Sequence, residues 1–266
     1  TGGYAAYYGY SVSLDENTLA VAAMGDPSSQ TTITNGTSAS SDTSKPSAGA
    51  VFVYTRSGTD WSQQAYIKAS NSDQGDHFGY SVSLDKNTLA VGAHQESSRQ
   101  KTITNGTSSS SNTSKGAAGA VFVYTRSGTD WSQQAYIKAS NSDANDRFGY
   151  AIALSGDTLA VGAQAEDSNQ TSITNGSTSS GDNSASFSGA VYIYTRSGTS
   201  WSQQAYIKPS NAAANQGFGH SLSLQGDRLV VGAMREDSNT TSIVNGSTAS
   251  SDTSKSDSGA VYVFKR

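Results

Sequence analysis

The sequence predicts an all-β protein: a β-propeller of four repeats, four antiparallel strands per blade, the last blade lacking its outer strand. Three observations carry this. A sixteen-residue phrase, FGYSVSLDKNTLAVGA at 78–93, returns as FGYAIALSGDTLAVGA at 148–163, as FGHSLSLQGDRLVVGA at 218–233 and, near the start, as YGYSVSLDENTLAVAA at 8–23. The interval is always 70 residues, without insertion or deletion, and self-similarity at a fixed period marks a repeat architecture. Within each unit the apolar residues alternate with period two, and no helical period appears. The chain therefore reads as one domain, 1–266, in repeats of about 1–70, 71–140, 141–210 and 211–266.

The second unit supplies the elements in order. Tyr80–Leu84 (YSVSL) alternates as a half-buried strand, Asp85-Lys86-Asn87 is a turn, and Thr88–Ala93 (TLAVGA) is the second arm of a hairpin. The third unit has Ser155-Gly156-Asp157 in that turn, a stronger hairpin signal. A long polar stretch leads to Gly119–Arg126 (GAVFVYTR), a third strand rich in β-branched and aromatic residues. After a turn at Ser127-Gly128-Thr129, Trp131–Ala139 (WSQQAYIKA) is a fourth, more polar strand expected on the outside.

A single twisted sheet cannot bury both of its faces, whereas stacked sheets bury each other's. One phrase then solves the same packing problem at every position. Trp61, Trp131 and Trp201, with Phe78, Phe148 and Phe218, are assigned to packing between blades, and the recurrent glycines to crowding near the axis.

Composition narrows the function classes. Charged residues make up 14% of the chain and the net charge is −4, so no basic stripe exists to neutralise phosphates and nucleic acid is not an expected partner. Apolar runs are a handful of residues long, far short of the roughly twenty that span a bilayer as a helix. Cysteine is absent, which excludes disulfides, thiolate metal sites and a cysteine nucleophile. The Ser-, Thr-, Gly- and Asn-rich composition suits an extracellular or cell-surface protein. The opening TGGYAAYYGY, with no signal peptide visible, suits a mature chain.

The repeated phrase resembles the FG-GAP repeat, the unit of the integrin α-chain propeller and of many bacterial surface proteins. Phe78-Gly79, Phe148-Gly149 and Phe218-Gly219 match its FG, and the first unit has Tyr8-Gly9. Gly92-Ala93, Gly162-Ala163 and Gly232-Ala233 match its GA, with Ala22-Ala23 in the first unit. The resemblance covers essentially the whole chain and implies a propeller. Two departures stand out. The proline of GAP is replaced by Met24, His94, Gln164 and Met234, and the family's calcium loop is reduced to the turns DEN, DKN, SGD and QGD. Calcium takes six to eight oxygens, more than a three-residue turn offers, so integrin-like calcium sites are not carried over.

The least usual element is the loop between the second and third strands, roughly 25 residues long, a length that tends to mean function or disorder. Each copy holds a β-prone segment ending in Asn-Gly at Asn35, Asn105, Asn175 and Asn245, which predicts a hairpin tip protruding on one rim, anchored by Ile33, Ile103, Ile173 and Ile243. Each of these asparagines also begins an N-x-[ST] sequon, as do Asn112, Asn169 and Asn239. The two ends of the loop carry oxygen ligands for calcium or another hard cation: Asp26 and Asp42; Glu96 and Asn112; Glu166, Asp167, Asn169, Asp182 and Asn183; Glu236, Asp237, Asn239 and Asp252. No cofactor is otherwise required. A third use of the loops is a ring of hydroxyls and amides that binds sugar or another surface.

No catalytic phrase is present. His77, His94 and His220 occupy non-equivalent places and read as surface or rim residues, so a non-enzymatic protein is expected, with no catalytic residues. The last unit stops after GAVYVFKR, and only Gly2–Tyr7 is available to complete its blade, which leaves that edge open to a strand from another chain. The expected function is extracellular recognition or adhesion through the loop array, with a surface protein or glycan as partner. The alternative is a structural subunit that associates with copies of itself through the incomplete blade. A carbohydrate-binding propeller ranks below both.

Overall fold

The structure, a computed structural model, describes residues 5–265. Four antiparallel sheets follow one another, one per repeat. The first contains β1 (Tyr8–Asp15), β2 (Thr18–Ala23), β3 (Thr34–Asn35), β4 (Ala50–Ser57) and β5 (Asp60–Ile67). The second contains β6 (Ser81–Asp85), β7 (Thr88–Ala93), β8 (Thr104–Asn105), β9 (Ala120–Ser127) and β10 (Asp130–Ile137). The third contains β11 (Phe148–Ser155), β12 (Thr158–Ala163), β13 (Thr174–Asn175), β14 (Ala190–Ser197) and β15 (Ser200–Ile207). The fourth holds β16 (Phe218–Gln225), β17 (Arg228–Ala233) and β18 (Ala260–Lys265). No helix occurs among the described residues, and the repeated sheets are those of a β-propeller.

Each full sheet has the order β1-β2-β4-β5-β3, so the fourth strand is not the outermost. The Asn-Gly segment does not form a hairpin of its own. Thr34 and Asn35 pair with Tyr66 and Ala65, adding a two-residue edge to the blade, and the Gly36 amide donates to the Gln64 carbonyl at 2.6 Å. The edge of β5 offered unpaired backbone groups, and the loop satisfies them. A β-bulge in β5, where the register with β4 shifts near Tyr54, divides the work of two adjacent glutamines. Gln63 donates to the Gly36 and Ser38 carbonyls of its own loop, while the Gln64 side chain reaches the next blade.

The core lies in the seams between blades. Ala20, Ala22, Val51, Val53 and Ile67 on one face of the first blade meet Val82, Leu84, Val91, Phe122 and Trp131 on the facing side of the second. The next seam repeats this with Val121, Val123 and Ile137 against Ile152, Leu154, Tyr192 and Trp201. Trp131 and Trp201 are buried there, and each indole donates to a glutamine of the preceding blade, Gln64 or Gln134, at 2.9 Å. Arg126 and Arg196 stack on the same rings and donate to Thr18 and Thr88 across the seam at 3.0 Å. No sheet among the described residues covers Trp61, which is 43% exposed.

The FG segments lock the seams near the axis. Phe78, Phe148 and Phe218 each form a parallel bridge to the preceding blade, at Gly49, Gly119 and Gly189. A Cβ on Gly119 would sit 2.1 Å from the Phe148 carbonyl oxygen, so only glycine admits this approach. One on Gly92 would sit 2.2 Å from the Gly149 carbonyl oxygen, whereas the first seam accommodates Ala22 at the equivalent place, against Gly79. Of the Gly2–Tyr7 segment considered for blade closure, residues 2–4 lie outside the described residues. The Ala6 carbonyl accepts from Gly25 of the first blade, and the fourth sheet has three strands.

Candidate functional site

The long loop is pinned to its blade at an inner and an outer point. At the inner one, directly after the second strand, lies Asp26, Glu96, Glu166 or Glu236. Glu166 accepts from Tyr206 Oη and Lys208 Nζ at 2.9 Å, from the Ser168 amide at 3.1 Å and from Asn141 Nδ2 at 2.8 Å. Glu96 does the same with Tyr136, Lys138, Ser98 and Asn71, and Asp26 with Tyr66, Lys68 and Ser28. All three lysines have fully buried side chains, and burial lowers their pKa while the carboxylate opposes it. Glu236 keeps the bonds from Asn211 and Ser238, but among the described residues it accepts no hydrogen bond from a Lys or Tyr, and the fourth sheet there has three strands.

The outer point closes the two ends of the loop. Asp42 accepts from the Ser29 amide at 2.7 Å, Asp182 from Asn169 at 3.0 Å and Asp252 from Asn239 at 3.2 Å. These bonds hold all three carboxyls below the usual range, with the Ser29 hydroxyl the largest influence on Asp42. Asn112 takes the place of Asp in blade two and accepts from Ser114. Asp167 and Asp237 accept from the amides of Phe187 and Asp257, and Asn183 donates to Asp143. The candidate cation ligands are thus brought to the loop's two ends, but in two separate layers. Among the described residues no three His, Asp or Glu converge in metal-binding geometry. In the inner layer Asp26, Glu96 and Glu166 are paired with lysine while Glu236 is held by Asn211 and the Ser238 amide, and the carboxylates of the outer layer are engaged by the loop's own amides and hydroxyls.

The sequence reading had no role for Lys68, Lys138 and Lys208, nor for Asn71, Asn141 and Asn211. One signal was available: Tyr-Ile-Lys recurs in register on a strand that is otherwise apolar there. The asparagines tie the exit of one blade to the loop of the next, since Asn71 also donates to the Ser110 carbonyl at 2.7 Å.

The Asn-Gly asparagines also work across seams. Asn35 accepts from the Trp131 amide at 2.9 Å and returns a bond to its carbonyl at 3.3 Å; Asn105 does the same with Trp201. Asn175 pairs with Ala205 within its own blade, and neither it nor Asn245 meets a fourth strand of a following blade among the described residues. Ile33 and Ile103 pack against the seams, while Ile173 and Ile243 are exposed. What remains open to solvent in each repeat is the middle of the loop, a Ser/Thr/Asn surface from about Gly36 to Ser44 and its equivalents.

Of the histidines expected at the surface or rim, His94 is buried, while His77 and His220 are half-buried. Tyr10, Tyr80, Tyr150 and His220 stack from blade to blade along the inner strands, with ring centroids 5.1, 4.9 and 5.3 Å apart. His94 is 5% exposed, 3.9 Å from Tyr80, and burial, with His77 and Arg147 nearby, pushes its pKa down to about 3. It is held uncharged as packing, and His220 Nδ1 meets Gln164 at 2.9 Å. No helix among the described residues is long and apolar enough to cross a membrane.

A family model described as FG-GAP repeat matches residues 61–124, 131–181 and 201–264. No curated protein is similar enough to the chain to match it.

Proposed function

The chain belongs to the FG-GAP repeat family, and on that premise we propose that it is a non-enzymatic recognition or adhesion module of the extracellular space or cell surface. In this reading the sheets are the four blades of a propeller and act as a rigid scaffold, while the solvent-facing loop middles are the contact surface. One observation carries it. The loops are long, yet the ends of all four are joined by equivalent backbone bonds, from Lys45 to Pro27, Lys115 to Ser97, Ala185 to Asp167 and Lys255 to Asp237. The inner carboxylate is pinned by Lys and Tyr in blades one to three and the outer aspartate by an amide in blades one, three and four, so a similar hydroxyl and amide surface is presented repeatedly. Such a surface suits a glycan or a polar protein face, with hydrogen bonds supplying specificity. Calcium is no requirement of this reading.

The test is binding of the immobilised chain to a glycan array and to a panel of purified cell-surface proteins, with and without calcium. A second chain carries alanine at Thr37, Ser38, Thr107, Ser108, Ser177 and Thr178, exposed positions outside both pinning points. The expected result is at least one ligand, lost at least tenfold in the alanine chain with the fold retained. Binding that survives the substitutions would sink the loop surface as the contact. The structural-subunit alternative is favoured by a different observation, the uncovered faces of the first and last blades.

A further inference from the structure

The two ends of the blade stack are the two halves of one interface. On the first blade, Val12 and Leu14 are 59% and 62% exposed, whereas their equivalents Val82 and Leu84 are buried in the first seam. On the fourth, Val261 and Val263 are 71% and 67% exposed, whereas Val51, Val53, Val121 and Val123 are fully buried. Tyr8 and Trp61 extend the first face, and Val230 the second.

The backbone groups match as well. A cleft of about 350 Å³ opens at the end of blade four between Ser221, Gly232, Ala233, Met234, Gly259 and Val261. In the inner seams the FG segment of the next blade occupies this place. There a Cβ on Gly162 would lie 2.2 Å from the Gly219 carbonyl oxygen, and one on Gly189 would lie 2.1 Å from that of Phe218. At blade four, the nearest atom to a Cβ on Gly259 is 3.4 Å away, and Gly232 meets only Ser221. Conversely, Gly9 has nothing within 4 Å of a Cβ, while Gly79, its equivalent, lies against Ala22 and Ala50. Two hydroxyl groups complete the match. Ser81 donates to the Gly149 carbonyl at 2.8 Å, and Ser13 accepts from the Leu84 amide at 2.9 Å. Blade four presents Ser221 and Ser223 at those two positions.

We propose that two copies of this chain associate head to tail: Tyr8-Gly9 of one copy enters the cleft at Gly232 and Gly259 of the other, and Val12 and Leu14 cover Val261 and Val263. The contact continues the inner seams across the gap between molecules, and it is heterologous, so the two faces are different. It does not depend on the loop-binding function. One position departs from the inner seams. Arg228 replaces Thr18, Thr88 and Thr158, and in the seam between copies it faces Arg56, where Thr18 and Thr88 accept from Arg126 and Arg196.

The experiment is light scattering on a sizing column with the full chain over a hundredfold concentration range. Two variants are compared: Val12→Asp/Leu14→Asp, and Val261→Asp/Val263→Asp. All four side chains are exposed, so the substitutions spare the fold, and a thermal melt of each variant checks this. The expected result is a mass above 27.5 kDa for the unaltered chain, whether a discrete pair or a growing series. Each variant alone runs as a single copy, and an equal mixture of the two runs at twice that mass, because one intact head still meets one intact tail. Arg228→Thr shifts association to lower concentration. A single-copy mass throughout, association that persists in either variant alone, or failure of the mixture to pair would overturn the proposal.

Discussion

Glu166 and Glu236 occupy the same place in blades three and four, and their surroundings differ by one strand. The first is closed in by Tyr206 and Lys208; the second has only Asn211 and its own loop. The same contrast separates Trp201, buried against Gln134, from Trp61, which is 43% exposed. Within a repeat array the residue is set by its unit, but its energetic role is set by the neighbouring strand or blade.

The ion pair offers the largest way to break this comparison. Glu166→Ala leaves the fully buried Lys208 without its carboxylate partner, which costs about 3–5 kcal/mol. Glu236→Ala removes hydrogen bonds but strands no lysine, and about 1–2 kcal/mol is expected. Denaturant titration followed by tryptophan fluorescence measures both. Equal losses would mean that the lysine is not what distinguishes the blades.

The tryptophans give the next contrast. Trp201→Ala removes a buried ring from a seam and leaves Arg196 and Gln134 without its packing, for about 3–5 kcal/mol. Trp61→Ala changes stability by less than about 1 kcal/mol, because no blade covers it. If association of copies covers Trp61, its effect grows with protein concentration, and the same titration at two concentrations reads that out.

The strands were legible because their signal is local. Tyr80–Leu84 alternates, Thr88–Ala93 is apolar throughout, and the turns between them carry recognisable residues, so period and punctuation agree. The FG and GA pairs likewise named the repeat, since they recur with the strands at one interval. The loop was less legible. Asn-Gly between β-prone residues is a hairpin cue, yet the free edge of β5 offered better partners than a hairpin of the loop's own, and the edge won. The carboxylates invited a cation because nothing local shows that a lysine forty-two residues later turns inward onto Asp26, Glu96 and Glu166. Contacts of that span depend on the blade being assembled, and a spacing argument cannot see them. His94 misled for a similar reason: its polarity suggests a surface, while Tyr80 and Tyr150 enclose it.

A pH experiment sharpens the comparison between blades. Asp146 is buried, accepts from the Asp143 amide, and shares its surroundings with Glu166, Asp143 and Asp167. Burial, aided by those carboxylates, pushes its pKa up to about 8. Blade four places Gln216 there, with its Oε1 accepting from the Ala213 amide at 3.0 Å, so the bond survives without a charge. A raised folded-state pKa means that the folded chain holds the proton more tightly than the unfolded one. The stabilisation is complete below the ordinary carboxylate value and is lost as pH rises through about 8. Asp146→Gln is therefore expected to gain at least about 1 kcal/mol relative to the native chain between pH 5 and 8, about the worth of one pKa unit. Asp76, its equivalent in blade two, is pushed up to about 7 by burial and keeps titrating, so the dependence lessens rather than vanishes. Denaturant titrations at the two pH values test it, and a pH dependence unchanged by the substitution would place the titrating group elsewhere.

The smallest effect comes from the asparagine that reaches across a seam. Asn105 makes two bonds to the backbone of Trp201 in the next blade, and they are part-buried, so water competes only in part. Asn105→Ala is expected to cost about 1 kcal/mol, and Asn175→Ala, with no following strand for its side chain to reach among the described residues, close to nothing. The pair also separates structure from modification. A glycan on Asn105 uses the nitrogen that donates to the Trp201 carbonyl, so occupancy at Asn105 would forfeit that bond while occupancy at Asn175 would not. Expression in a glycosylating host followed by peptide mass mapping is then expected to show Asn175 modified in preference to Asn105. Equal occupancy, together with equal stability losses in the two alanine variants, would mean that the bond across the seam contributes nothing in solution.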